Sequence, residues 1–213
     1  MKRREFSLQL ATLAAALPLS GTALAQGAPV EGQHYVKLNQ PVPVPSDGKV
    51  HVVEFFWYGC PHCNNFEPML DAWAKALPPE IVFQRVHVAF SAMHETHSRI
   101  FYALESLGLV EQMHRKVFAA MHNQRKRLDK EADIEAFMTE NGVDGKKFID
   151  MFKSFGVATK VRQAKQLHEA YKIDGVPALG VHGRFYTNIG LAGGPDKALA
   201  VVSHLAQRVR ASR

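Results

Sequence analysis

Cys60 and Cys63 are the only two cysteines of the chain, and they stand together in the run Cys60-Pro61-His62-Cys63. A bridge across so short a loop removes little entropy from an unfolded chain, so it is a poor structural staple. The pair is better read as a redox couple. Pro61 suits the first turn of a helix. That places Cys60 at the helix start, where unpaired N–H groups and the helix dipole favour negative charge. His62 adds a neighbour that is cationic or donates a hydrogen bond. Both effects stabilise the Cys60 thiolate and lower its pKa. Each unit of depression stabilises the reduced form by about 1.4 kcal/mol at a pH above both pKa values. A stabilised reduced form makes the disulfide a ready electron acceptor. Cys63, one turn inside the helix, is expected to be buried and less reactive.

Three other features bear on this chemistry. A Cys-x-x-Cys can also be half of a zinc or copper site, but four-coordinate zinc needs two further ligands and no second cysteine pair exists. His94 and His97 have a suggestive spacing, yet His-x-x-His with Glu95 on a helix is more often exposed polar surface, so no metal is expected. Glu54 interrupts an apolar strand six residues before Cys60, where a carboxylate is expensive to bury. It reads as a buried acid of raised pKa that accepts or relays the proton of Cys63, or as an edge-facing partner of a cation, with Arg85 the candidate. The two readings are compatible. Gly175-Val176-Pro177 places a proline at the start of a strand. A cis bond there would leave neighbouring backbone free to pair with an extended peptide, although an ordinary trans turn is the default on sequence alone.

The elements that must position these residues follow from pattern. A short strand is expected near Tyr35 to Leu38, before Pro41, Pro43 and Pro45. Val50 to Tyr58 is β-branched and aromatic nearly throughout, as in a strand buried on both faces. After Gly59, Phe66, Met69, Leu70, Trp73 and Leu77 recur at helical spacing, and Ile81 to Val88 reads as a second strand. Strand, helix, strand makes a right-handed βαβ unit with the cysteines at the carboxyl end of its first strand. From Met93 to Lys172 the pattern is helical. One apolar face runs over Ile100 to Leu107, further helices are marked by Val110 to Met121, Ile134 to Met138 and Phe148 to Phe152, and Val157 to Tyr171 forms a longer one. Gly142, Gly145 and Gly156 are expected between them. Val176 to Val181 and Phe185 to Ile189 form strands about a His182-Gly183 turn, and Pro195 opens a last amphipathic helix. The layout is α/β: a βαβ half over residues 26–90, a helical insertion over 91–156, and a second half over 157–213.

Residues 1–25 read as a cleavable export signal, with Lys2, Arg3 and Arg4 as basic head, an apolar run from Phe6 to Leu19, and Ala23-Leu24-Ala25 as cleavage site. A general secretory route is favoured over a twin-arginine one, which Arg3-Arg4-Glu5-Phe6 resembles only in part. Gln26 would begin the mature chain. Without Lys2, Arg3, Arg4 and Glu5 the 26 basic and 20 acidic residues become 23 and 19, a net charge of +4. That excess is modest and scattered, even at Arg125-Lys126-Arg127 and in the tail, and does not form a nucleic-acid footprint. No second apolar run is long enough to cross a bilayer.

With Glu54-Phe55-Phe56, Cys60-Pro61-His62-Cys63, Arg85-Val86-His87-Val88 and Gly175-Val176-Pro177-Ala178 in this order, the chain resembles the DsbA-type thiol:disulfide oxidoreductases of the bacterial periplasm. The resemblance implies a thioredoxin-like fold with an inserted helical domain, a redox-active Cys60–Cys63 disulfide with no bound cofactor, and a cis Val176–Pro177 bond. It implies a hydrophobic groove including Phe66 and Leu70 that receives reduced exported proteins and a DsbB-type, quinone-linked membrane reoxidase. One departure is Arg85, where the family has a lysine on the second strand; Arg and Lys are not equivalent near a buried acid. A disulfide isomerase or reductase on the same scaffold is the alternative. Isomerases of this kind usually carry an additional N-terminal dimerisation domain, whereas only residues 26–49 precede Val50, which favours a monomeric oxidase. A metal-binding periplasmic module is the alternative of a different class.

Overall fold

The computed structural model describes residues 27–212; the expected export signal and Gln26 lie outside the described residues. Thirteen elements follow in order: β1 (Val36–Lys37), β2 (Val50–Phe56), α1 (Pro61–Lys75), β3 (Ile81–His87), α2 (Ala92–Ser106), α3 (Val110–His122), α4 (Glu131–Glu140), α5 (Gly145–Lys153), α6 (Phe155–Ala170), β4 (Ala178–Val181), β5 (Phe185–Asn188), α7 (Ile189–Ala192) and α8 (Pro195–Ala211). The strands form one sheet in the order β1-β5-β4-β2-β3. β2 pairs in parallel with β3 and antiparallel with β4, so the strand that leads to the cysteines is central and not an edge. This is the mixed α/β arrangement the pattern predicts.

Alternation along β2 decides what lies under each face of the sheet. Val50 and Val52 point to α1 and α8, where they join a core with Phe66, Leu70, Leu179, Val202 and Leu205. Val53 and Phe55 point to the other face, into a larger core that runs through the helices α2 to α6 and includes Leu104, Phe118, Ile134 and Phe148. Glu54 shares the Val50 and Val52 parity, so it faces α1 and the cysteine that α1 carries. The β4–β5 hairpin turns through His182 (φ 50°) and Gly183 (φ 65°), two successive left-handed residues that match the twist of a tight hairpin.

Several boundaries differ from the sequence expectation for local reasons. Gly145 and Gly156 lie inside helices instead of between them. Asp144 caps α5, its carboxylate accepting from the Lys147 N–H at 3.1 Å, and Ser154 caps α6 by accepting from Val157 N–H at 3.2 Å. Gly145 also marks a close approach: a Cβ there would stand 2.7 Å from the Glu135 carbonyl oxygen on α4. The short α7 was not expected; Asn188 caps it and Gly193 ends it at φ 79°. Among the described residues no helix is long and apolar enough to cross a membrane.

Phe66 and Leu70 correct the groove expectation. They are 3% and 0% exposed and belong to the core between α1 and the sheet. Helical spacing from the inward-facing Cys63 turns both toward the sheet. The large apolar side chain that α1 exposes is Met69.

Candidate active site

The turn between β2 and α1 delivers both cysteines. Cys60 is the N-cap of α1, in extended backbone, and Pro61 takes the first helical position, where its missing N–H would have had no partner. The Cys60 sulfur accepts the Cys63 N–H at 3.3 Å, and as a thiol it donates to the Val176 carbonyl at 3.4 Å. The Val176–Pro177 peptide bond is cis, so the structure brings the third sequence motif directly against the first. Both cysteines are free thiols. His62 is exposed and, with Val176, Pro177 and Ile189, lines a cavity of about 290 Å³ beside Cys60.

The two sulfurs are electrostatically unlike. Hydrogen bonding from the Cys63 thiol, supported by the Cys63 and His62 N–H groups and the His62 charge, lowers the Cys60 pKa to about 6. Burial pushes the Cys63 thiol far up, and the neighbouring Cys60 charge adds to this. One cysteine is thus a thiolate and the other a thiol at neutral pH, an asymmetry that thiol exchange requires of attacking and buried sulfur.

Glu54 is fully buried and stands 3.3 Å from Arg85 Nε across the β2–β3 register. Burial, reinforced by the charge of Glu67, raises its carboxyl well above the ordinary range, and Arg85 only partly opposes this. Glu54 is thus a buried acid and a partner of Arg85, on a central strand and not at the edge that the pairing alternative expected. Glu67, which sequence reasoning passed over, lies on the buried face of α1 and binds Arg85 Nη2. Burial acts to raise its pKa too, but His114 and Arg85 outweigh it and hold the carboxyl below its usual value. Glu67 was discoverable: Cys63, Phe66, Glu67 and Leu70 follow the i, i+3, i+4, i+7 spacing of one helix face.

A second group that sequence reasoning missed surrounds Trp57 and Tyr58, just ahead of the motif. Four histidines hold them. His97 accepts the Trp57 indole N–H at 2.9 Å, His87 accepts the Tyr58 backbone N–H at 3.2 Å, His122 meets the Tyr58 carbonyl at 2.8 Å, and His114 meets the Tyr58 hydroxyl at 3.0 Å while its other nitrogen faces Glu67 at 3.3 Å. His97 is consequently buried, correcting its expected place on an exposed polar face; His94 packs on the Trp57 ring. Among the described residues no cluster of three or more histidine, cysteine or acidic side chains is arranged to hold a metal ion.

Residues 79–197 match the model of the DSBA-like thioredoxin domain. The chain is 37% identical over 206 residues to the thiol:disulfide interchange protein DsbA of Pseudomonas aeruginosa, covering 97% of this chain and 98% of that one. It is 42% identical to the protein of the same name from Bordetella parapertussis, covering 93% of each. The crystal structure of Pseudomonas aeruginosa DsbA superposes with a TM-score of 0.82 at 39% identity, covering 85% of this chain and 94% of that one. The oxidoreductase NmDsbA1 from Neisseria meningitidis gives 0.76 at 29% identity, covering 86% and 95%. With a cysteine pair at a helix N-terminus, a cis proline against it and these relatives along nearly its whole length, the chain belongs to the DsbA family of thioredoxin-like thiol:disulfide oxidoreductases.

Proposed function

We propose that this protein donates the Cys60–Cys63 disulfide to reduced proteins newly exported to the periplasm. The observation that carries the reading is the split between the two sulfurs: Cys60 depressed to about 6 at the helix start, Cys63 buried and raised. A substrate thiolate attacks Cys60 Sγ of the oxidised protein, the Cys60–Cys63 bond breaks, and Cys63 leaves with the electron pair. Glu54, whose carboxyl is held well above its ordinary range by burial, supplies a proton to the buried Cys63 sulfur. A second substrate thiolate then attacks the substrate sulfur of the mixed disulfide and expels Cys60 as a stabilised thiolate. The substrate departs with a disulfide, and the protein departs with two electrons and one proton held on the pair.

Val176, Pro177 and the adjoining cavity are assigned the extended segment of the substrate, because the backbone there already meets Cys60. His62 and Pro61 tune the thiolate. Reoxidation falls to a membrane partner of the DsbB type that passes the electrons to quinone, so the couple itself is the only redox group required. Residues 26–90 and 157–213 are assigned to the thioredoxin-like unit and 91–156 to the insertion, with the protein acting as a monomer after removal of residues 1–25.

The test is the equilibrium of the mature protein with glutathione, read by alkylation. A potential well above the glutathione couple supports donation, with Cys60→Ser abolishing oxidation of a reduced model substrate. A potential close to that of thioredoxin overturns the oxidase reading in favour of a reductase.

A further inference from the structure

We propose that His97 is a positioning residue for the Cys60–Cys63 couple, acting through Trp57 and tying the redox turn to the loop between α3 and α4. The proposal rests on the redox reading of the cysteines given above. Its geometry is a single chain of hydrogen bonds. The indole N–H can only donate, so Nδ1 of His97 must accept it, at 2.9 Å. The proton of the neutral ring then lies on Nε2, which donates to the Arg127 carbonyl at 2.9 Å. At the other end of Trp57, its carbonyl accepts the Cys60 N–H at 3.0 Å. The ring leaves no space for drift on its inner side, since a Cβ on Gly59 would fall 2.3 Å from it. Trp57 is therefore fixed by its indole to the insertion and by its backbone to Cys60.

The expected consequence is specific to the redox couple. If the indole is released, the turn that presents Cys60 as N-cap of α1 loosens, and the N–H groups aimed at its sulfur lose alignment. The thiolate is then less stabilised and the disulfide becomes a weaker oxidant. A purely structural role would lower the stability of oxidised and reduced protein alike, and by thermodynamic cycle would leave their equilibrium with glutathione unchanged. Acid acts on the same link. A proton on Nδ1 of His97 displaces the indole N–H, and burial pushes this event below the ordinary histidine range. The groups that face His97 are His94 on its own helix, His87 on β3, and Arg127 and Asp129 on the α3–α4 loop; the Arg127 carbonyl and the Asp129 carboxylate favour the proton, and the His94 and Arg127 charges oppose it.

The experiment compares mature parent, His97→Leu, Trp57→Phe and the double variant. The glutathione equilibrium constant and the ultraviolet titration of the Cys60 thiolate are measured in each. One net hydrogen bond corresponds to a change of about threefold to tenfold in the constant. Each single variant is expected to lower the constant by that factor and raise the thiolate midpoint, with the double variant no worse than either single one. His97→Asn, whose oxygen can occupy the Nδ1 position, is expected to restore most of the constant. Folded variants with the parent's constant and midpoint overturn the proposal, as do fully additive effects in the double variant. If His97→Leu does not fold, Trp57→Phe decides alone, because it removes the indole N–H and keeps a ring beside Gly59. A parent potential near that of thioredoxin defeats the oxidase reading without touching this test, whereas an oxidising parent with unaffected variants defeats only the role of His97.

Discussion

A sulfur at a helix N-terminus and a carboxylate beneath a sheet make opposite demands on pH, and this site contains both. Cys60 is depressed from an ordinary thiol value of 9.0 to about 6. For a depressed group, the extra stability of the reduced fold is fully present above 9.0 and is lost as pH falls through about 6. Glutathione keeps an ordinary thiol, so the constant for oxidising glutathione is expected to be flat below that midpoint and to rise about tenfold per pH unit above it, until glutathione itself ionises. A series of redox equilibria across pH checks this; a constant that does not change with pH would show that Cys60 titrates like a free thiol. Glu54 runs the other way. Its folded pKa lies above the reference of 4.5, so its favourable contribution belongs to low pH and is lost as pH rises through the folded value. Glu54→Gln is therefore expected to stabilise the oxidised fold more at about pH 8 than at about pH 5, by on the order of 1 kcal/mol in urea unfolding, while slowing the step that needs a proton at Cys63. Equal effects at both pH values would mean that Glu54 is ionised throughout. Among these residues the cysteines, Glu54, Arg85 and Pro177 were legible in the sequence because each is an anomaly of type or spacing. His114 and His97 were not, because a polar residue on an amphipathic helix looks solvent-facing until the partner that buries it is known; Glu67 was passed over although its spacing from Cys63 places it on the buried face of α1.

The helix that carries the redox pair is also set by what happens before it and beneath it. Cys60 serves as both reactive group and N-cap, so no serine or aspartate can take the cap without displacing the chemistry. Buried Glu67 on the same helix is compensated by Arg85 from β3, which tells why the second strand needs a cation at that register. Element types and order were readable from hydrophobic period, as β2, α1 and β3 show. Their ends were less so: Asp144 and Ser154 begin α5 and α6 through side-chain caps that outweigh the glycines beside them. Phe66 and Leu70 were placed in the groove by resemblance; periodicity alone puts them on one face of α1 without saying whether sheet or solvent lies against it, and here it is the sheet. The β4–β5 turn offers a test at this scale. Gly183 has φ 65°, and a Cβ there would meet the Val42 carbonyl oxygen at 1.9 Å. Left-handed strain and a backbone clash together predict that Gly183→Ala destabilises the fold by about 1–3 kcal/mol. Because oxidised and reduced forms share this turn, the glutathione equilibrium should stay at the parent value. Urea unfolding with a parallel redox titration separates the two; a shifted equilibrium would show that the turn communicates with Cys60.

At the scale of the molecule, the helices between β3 and β4 could in principle form a lobe that opens on its own, yet the packing opposes this. The core that holds Phe118 on α3, Ile134 on α4 and Phe148 on α5 is continuous with Val53, Phe55 and Phe56 of the central strand. Phe118 meets the Tyr58 ring at 5.1 Å, immediately before the cysteines. The second core, on the other face, uses Val50 and Val52 of that same strand. One strand is thus the wall of both cores, and unravelling either side exposes it to water. Loss of a buried aromatic such as Phe118, at about 3–5 kcal/mol for truncation to alanine, should therefore weaken the whole fold and not the insertion alone. The two tryptophans report on the two sides: Trp57 packs against the larger core and Trp73 against the smaller. In the single-tryptophan variants Trp57→Phe and Trp73→Phe, urea transitions followed by fluorescence are expected to superimpose on those followed by far-ultraviolet circular dichroism of the same variant. If the fluorescence of Trp57 in the Trp73→Phe protein moved at lower urea than its helical signal, the insertion would be opening ahead of the sheet. Substrate capture could then involve that opening, and the shared strand would not be the hinge of cooperativity that its position between the two cores makes it.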